Sequence, residues 1–178
     1  RKRPDTEKKE SLKTLLYALW KKEDETFRRS EYVALSNALG GYFDLLDSQP
    51  DIFPCFDTFY ESLDTKFRET LKKDGVRDRD FDVDNFMYVL RPYYKGGEFD
   101  YLLNATENLD LLHQRFIVFE LDNIKDHPIL FPVVTLMIME IFISKMRKLK
   151  GIRKIILIEE AWKAIAKEGM AEYIKYLF

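Results

Sequence analysis

Two short apolar runs flank one long apolar segment in the C-terminal part of the sequence, and this order restricts the fold more than any other feature. The first run, 115–122, is rich in β-branched and aromatic residues, and the second, 154–158, is apolar after its lysine. Between them a helix is predicted from Asp126 to about Leu149, with Gly151 ending it. Strand, helix and strand in this order form a right-handed crossover with parallel strands. The sequence therefore predicts an α/β unit with a parallel sheet.

The first half of the sequence has the apolar spacing of helices instead. Seven Gly and six Pro in 178 residues favour helices over turn-rich β structure. Ser30 offers a cap for the second helix, and Gly40 and Gly41 are expected to weaken or break it. We predict an all-helical subdomain over 1–92 and the α/β unit over 93–178. The helical segments are 6–27, 30–46, 54–71 and 83–90.

Charge is unevenly distributed along the chain although the formal net charge is only −2. Residues 1–30 sum to +4, residues 31–110 to −9 and residues 111–178 to +3. An acidic segment cannot release counterions from nucleic-acid phosphates, so 31–110 is a poor nucleic-acid surface. Aromatic residues at helical spacing in this segment, such as Phe56 and Phe59, indicate packed core.

Secretion, membrane spanning and metal chemistry find little support in the sequence. The start is charged rather than apolar, so no signal peptide is predicted, and the apolar stretch 129–143 is shorter than the roughly 18 residues of a membrane span. A cytoplasmic protein is expected, cut from a longer polypeptide. His113 and His127 lack the partners of a zinc site, and the single cysteine, Cys55, is expected to be a buried thiol rather than a nucleophile.

Acidic residues end both predicted strands. Glu120 and Asp122 close the first run, and Glu159 and Glu160 close the second. Parallel strands of one crossover end at the same sheet edge, where open sheets bind ligands. The four carboxylates could therefore form a site for a metal or another cation. Alternatively, they mark only where the chain emerges into water.

An apolar strand that ends in an acidic pair followed by Ala and Trp is typical of one family. The run 155–163, Ile-Ile-Leu-Ile-Glu-Glu-Ala-Trp-Lys, resembles the Walker B segment of TraG-family conjugation ATPases of Bacteroidetes conjugative transposons and related type IV secretion ATPases. The segments 96–99 and 116–122 also resemble that family's core. This resemblance implies a RecA-like parallel sheet, with 1–92 as an inserted helical subdomain.

The resemblance also implies roles for the acidic pair. Glu159 would orient Mg²⁺ through water, and Glu160 would polarise the water that attacks ATP. Most relatives have Asp at the first position, and Glu159 is one methylene longer. No glycine in the sequence is followed by Lys, so the G-x-x-x-x-G-K-[ST] loop that holds phosphates is missing. The Walker A loop is therefore expected upstream of Arg1, and the fragment alone is expected to bind no nucleotide and to be inactive.

Further expectations concern the parent protein. The resemblance implies a homo-oligomer, a hexamer, that uses Mg²⁺ and ATP for DNA transfer or channel assembly with inner-membrane components of the transfer apparatus, at the cytoplasmic face of that membrane. It leaves open whether DNA contacts this part. An alternative from the sequence is a non-catalytic helical interaction module on an α/β base, in which the acidic segment 31–110 docks a basic partner.

Overall fold

A computed structural model describes residues 4–22, 25–107 and 109–159. The chain divides into two compact units, Arg1–Asn108 and Leu109–Phe178. A functional boundary after residue 92 stays a prediction. The described helices of the first unit are α1 (Thr6–Trp20), α2 (Arg29–Ser48), α3 (Phe56–Ser62), α4 (Arg68–Lys73), α5 (Val83–Leu90) and α6 (Asp100–Leu103), with a π-helical turn over Leu63–Phe67 and a 3-10 turn over Arg91–Tyr93, and the second unit contributes α7 (Leu130–Lys148).

The first two helices differ from their predicted bounds. α1 ends at Trp20 rather than near Phe27. α2 begins at Arg29, and the carboxylate of Glu31 accepts a hydrogen bond from the backbone N–H of Arg28 at 3.1 Å, a capping contact that Ser30 was expected to supply. The predicted break at the glycine pair is wrong, because α2 is continuous through it. A helical glycine costs only about 1 kcal/mol, which burial of the flanking apolar residues outweighs.

The two remaining predicted helical segments of the first unit, 54–71 and 83–90, are confirmed. α3, the π-helical turn and α4 follow one another directly and together cover most of the predicted segment 54–71. Gly75 adopts a φ of 65° just after α4, where a left-handed residue ends a helix. α5 has the predicted bounds, and Asp82 caps it by accepting a hydrogen bond from the N–H of Asn85 at 2.9 Å.

Aromatic rings fill the core of the first unit. Trp20 lies 4.9 Å from Phe86 and 5.4 Å from Phe81 between ring centroids, and Phe67 lies 5.6 Å from Phe81. Most of these contacts are edge-on, the geometry that aromatic quadrupoles prefer. The prediction that aromatic residues at helical spacing in this segment belong to the core is confirmed, because Phe56, Phe59, Tyr60 and Phe67 are all buried.

The second unit contradicts the predicted sheet. Neither 115–122 nor 154–158 forms a strand, and the described residues contain no β-ladder, so the RecA-like parallel sheet is wrong for them. Phe116 and Leu157 are 85% and 84% exposed. An apolar run shows that residues favour burial, but a strand exists only where a neighbouring strand takes up its backbone hydrogen bonds. Neither run finds such a neighbour in the part of the chain described.

The long apolar helix of the second unit is confirmed as α7. It begins at Leu130, four residues after the predicted cap at Asp126. His127 occupies the capping role, because its Nδ1 accepts hydrogen bonds from the N–H groups of Ile129 and Leu130 at 3.3 and 3.1 Å. Among residues 4–22, 25–107 and 109–159, no helix is long and apolar enough to cross a membrane.

Candidate functional site

The predicted catalytic pair falls at the edge of the described chain. Glu159 is exposed and follows a segment without regular secondary structure, 152–158, in which Ile155 is 87% exposed. Glu160 lies outside the described residues, so its predicted role stays a prediction. Trp162 and Lys163 of the same run also lie outside them.

The side chain of Lys154 contacts the chain just after α7. The ammonium of Lys154 donates hydrogen bonds to the carbonyls of Leu149 and Ile152, the latter at 2.8 Å. Carbonyls at a helix C-terminus lack intrahelical partners, so a cation there satisfies them and complements the helix dipole. Gly151, with a φ of 75°, turns the chain between these two carbonyls. The segment that carries Glu159 is therefore attached to the end of α7 by side-chain contacts as well as by the backbone.

The first pair of predicted strand-end acids forms a local turn. The backbone N–H of Asp122 donates to the carboxylate of Glu120 at 3.0 Å, and Lys125 pairs with Asp122 at 3.2 Å. In the described part of the chain, no three His, Cys, Asp or Glu side chains lie close enough to hold a metal ion. The structure thus joins Glu120 to Asp122 but does not gather Glu159 with them into a metal cluster.

The donor set around Glu159 fits one kind of magnesium site. Mg²⁺ in nucleotide-binding proteins takes one or two carboxylates, with phosphate oxygens and waters completing its coordination. Glu159 supplies a single exposed carboxylate. In a site of this kind Glu159 would supply the one carboxylate.

A polar network in the first unit was missed by the sequence analysis. Asn104 accepts a hydrogen bond from the N–H of Asp57 at 2.7 Å and donates to the carbonyls of Tyr93 and Asp100, both at 2.9 Å. The carboxylate of Asp57 in turn accepts the N–H of Lys95 at 2.8 Å. These bonds join the start of α3 to the segment after α5. No sequence pattern identifies this network, because the two bonds made by Asp57 span 47 and 38 positions.

An ion pair extends this network to the surface. Glu61 accepts hydrogen bonds from the Lys95 ammonium at 2.7 Å and from the Tyr94 hydroxyl at 2.8 Å. These two bonds lower the pKa of Glu61, and the bond to Glu61 raises the pKa of Lys95. Burial alone raises the pKa of the neighbouring Tyr93 to about 12. At neutral pH the cluster is a fully ionised structural pair next to a neutral tyrosine.

The glycine pair in this region has a structural role. Gly96 has a φ of 77°, and a side chain at Gly97 would overlap the backbone of Pro92, whose carbonyl oxygen would lie 2.3 Å from the added Cβ. The segment 91–99 can fold back on itself only with glycine at this second position. Gly96 and Gly97 therefore allow a tight turn at this point of the chain.

Comparison with known protein families agrees with the motif at the end of the described chain. The family model for the TraG P-loop domain matches residues 1–178. The chain belongs to the TraG P-loop domain family. This assignment makes it a conjugation-related P-loop protein and confirms the resemblance drawn from the sequence. No significant match was found among the curated proteins or among the solved structures.

The extent of the match bears on the helical unit. The motifs that carried the resemblance lie in 96–99, 116–122 and 155–163, whereas the TraG P-loop domain match begins at residue 1. The aromatic helical unit is therefore part of this TraG domain and not an unrelated neighbour.

Proposed function

We propose that the chain is part of a conjugative-transfer ATPase that couples ATP hydrolysis to DNA transfer or channel assembly in a type IV secretion apparatus. The observation that carries this proposal is the TraG P-loop domain match over 1–178, together with the acidic pair that follows the apolar run 155–158. Phosphoryl transfer depends mainly on positioning and electrostatics, so two adjacent acids can serve the metal and the nucleophile separately.

Each acid then has its own role. Glu159 would hold Mg²⁺ through a water molecule, a role that its exposed carboxylate supports. Glu160 accepts a hydrogen bond from the attacking water and orients it. Magnesium, when bound with ATP, neutralises charge on the phosphate oxygens. Within 1–178 no phosphate-binding loop is encoded, so a Walker A loop elsewhere in the protein supplies the lysine and backbone amides.

The proposal also covers the assembly. The ATPase acts as a homo-oligomer, a hexamer, at the cytoplasmic face of the inner membrane, where it contacts membrane components of the transfer apparatus. Residues 1–178 alone bind neither ATP nor Mg²⁺ tightly and hydrolyse nothing, because they lack the phosphate loop. A gene that encodes no G-x-x-x-x-G-K-[ST] loop upstream of Arg1 would refute the ATPase proposal.

The decisive experiment uses the full-length protein. Glu160→Gln should lower kcat for Mg²⁺-dependent phosphate release by at least about 100-fold, because it removes the group that orients water. Binding of a fluorescent ATP analogue should be unchanged. Glu159→Asp should keep most activity, and Glu120→Gln is the matched control, an exposed glutamate outside the pair. Undiminished turnover in Glu160→Gln, or an equal loss in Glu120→Gln, would contradict the assigned roles.

A further inference from the structure

An open groove lies beside the start of α3 in the first unit. It has a volume of about 370 Å³, within the size range of ligand sites. Its wall is mainly apolar, and Ile52 and Phe53 are half-buried there. The network through Asn104 fixes the two sides relative to each other, so the groove is preformed. The lining residues are Ile52, Phe53, Cys55, Asp57, Thr58, Asn104, Ala105 and Thr106.

Both sides of this groove come from stretches that carry acids without bases. Residues 30–65 contain seven Asp or Glu and no Lys or Arg, and residues 96–108 contain three acids and again no Lys or Arg. Asp51 and Glu107, each adjacent in sequence to a lining residue, are exposed. An apolar groove with such flanks attracts cations and repels anions.

Nearby donors that could attract an anion are already engaged. The N–H of Asp57 in the first turn of α3 donates to Asn104. The ammonium of Lys95, whose backbone N–H donates to Asp57, pairs with Glu61 at 2.7 Å. The electrostatic potential of the groove therefore stays negative, although the N-terminus of α3 lies beside it.

We propose that this groove docks a basic peptide segment of a partner protein, in which aliphatic side chains alternate with Lys and Arg. The aliphatic side chains lie against Ile52 and Phe53, and the cations reach Asp51 and Glu107. Burial of the aliphatic groups supplies affinity, and the charges select the partner and speed its association. The proposal does not depend on ATP hydrolysis, because none of these residues belongs to the acidic pair at 159–160.

The test measures binding of a fluorescein-labelled peptide, Lys-Leu-Arg-Lys-Leu-Lys-Arg-Leu, to the full-length protein by anisotropy at two salt concentrations. The variant carrying both Asp51→Asn and Glu107→Gln should weaken binding about fivefold or more, since each exposed charge contributes modestly. The matched control carries Asp74→Asn and Asp78→Asn, exposed acids that lie away from the groove lining. This control should change affinity less than twofold. A peptide with Gln in place of Leu should bind at least about tenfold more weakly, because it loses its apolar contacts.

Filling the groove provides a second measurement. Ala105→Trp places a bulky ring in the groove from an exposed position and should abolish peptide binding while leaving the helical circular dichroism unchanged. Thr106→Trp, also from an exposed lining position, serves the same purpose if the first variant unfolds. Equal losses in the groove and control acid pairs, or unchanged binding after the groove is filled, would overturn the proposal. Tighter binding of an acidic peptide or of a DNA oligonucleotide at the same groove would overturn it as well.

Discussion

Replacing Gly97 with alanine gives the sharpest test of the turn that precedes α6. The added Cβ would lie 2.3 Å from the carbonyl oxygen and 2.6 Å from the carbonyl carbon of Pro92, and 2.8 Å from the carbonyl oxygen of Arg91. These are backbone atoms, and the Pro92 carbonyl is held by a hydrogen bond from the N–H of Phe99 at 2.8 Å. Relief of the overlap must therefore move the chain and strain or break that bond.

The expected loss of stability follows from the steric overlap and from the strained or broken hydrogen bond. Overpacking costs about 1–3 kcal/mol, and a lost backbone hydrogen bond adds about 1 kcal/mol. Gly97→Ala should thus lower the free energy of unfolding by about 2–4 kcal/mol. For a chain of this size the corresponding decrease in Tm is about 5–15 °C.

A matched control comes from the same substitution at Gly41. Nothing lies within 4 Å of a Cβ added there, and the residue is inside α2. Gly41→Ala should raise the free energy of unfolding by about 0.5–1 kcal/mol, because alanine loses less backbone entropy in a helix. The same Gly→Ala substitution should therefore destabilise the chain at position 97 and stabilise it at position 41.

The assay is urea unfolding followed by tryptophan fluorescence. The chain has two tryptophans, so a Trp162→Phe background leaves Trp20, which packs against Phe81 and Phe86, as the sole reporter of the first unit. Equal midpoints for Gly97→Ala and Gly41→Ala would refute the assigned close approach of Gly97 to Pro92.

Three further substitutions test buried contacts of the first unit. Glu31→Gln removes a fully buried carboxylate that pairs with Arg28 at 2.9 Å and Lys21 at 3.0 Å. It should lower the free energy of unfolding by about 2 kcal/mol at pH 7. Desolvation by burial acts to raise the pKa of Glu31, but its hydrogen bonds to these residues outweigh burial and lower that pKa. The stabilisation is therefore present above the ordinary pKa of 4.5 and is lost as pH falls through the lower folded value. The stability difference between the variant and the wild type should shrink between pH 6 and pH 3, and a constant difference would contradict the pairing. Tyr60→Phe leaves the carbonyl of Met87 without its 3.0 Å buried partner and should cost about 1 kcal/mol in the same urea assay, whereas an unchanged midpoint would speak against this bond. Asn104→Ala removes three hydrogen bonds and should lower the free energy of unfolding by about 2 kcal/mol. It should also accelerate amide hydrogen exchange at Asp57, and unchanged exchange there would count against the network.

Local signals in the sequence predicted the helices well. α5 was predicted with its observed bounds because its cap, Asp82, and its apolar spacing both lie within a few residues of the helix. Gly151 adopts a positive φ close behind the helix that it was predicted to end. Such signals act over one or two turns and need no information about the rest of the chain.

The cap of α2 and its continuity through the glycine pair were predicted less well. Ser30 has the usual residue type for a cap, but the cap of α2 uses Glu31, which is buried against Arg28 and Lys21. The glycine pair of α2 was expected to interrupt the helix, yet the buried Ala38, Leu39 and Tyr42 hold it together. At the glycine pair, burial outweighs a local preference of about 1 kcal/mol. At the start of α2, one local cap replaces another, and the ion pair of Glu31 with Lys21 of the preceding segment adds to it.

The sequence by itself determined where most of the helices form, that aromatic residues fill the core of the first unit, and which family the chain belongs to. Only the tertiary structure decided that the two apolar runs of the second unit have no strand partner among the described residues, and that Asn104 joins α3 to the segment after α5. The physical reason is the distance along the sequence between the residues that interact. Helical periodicity and capping act between residues a few positions apart, whereas strand pairing, groove walls and buried ion pairs depend on residues that the chain brings together from distant positions.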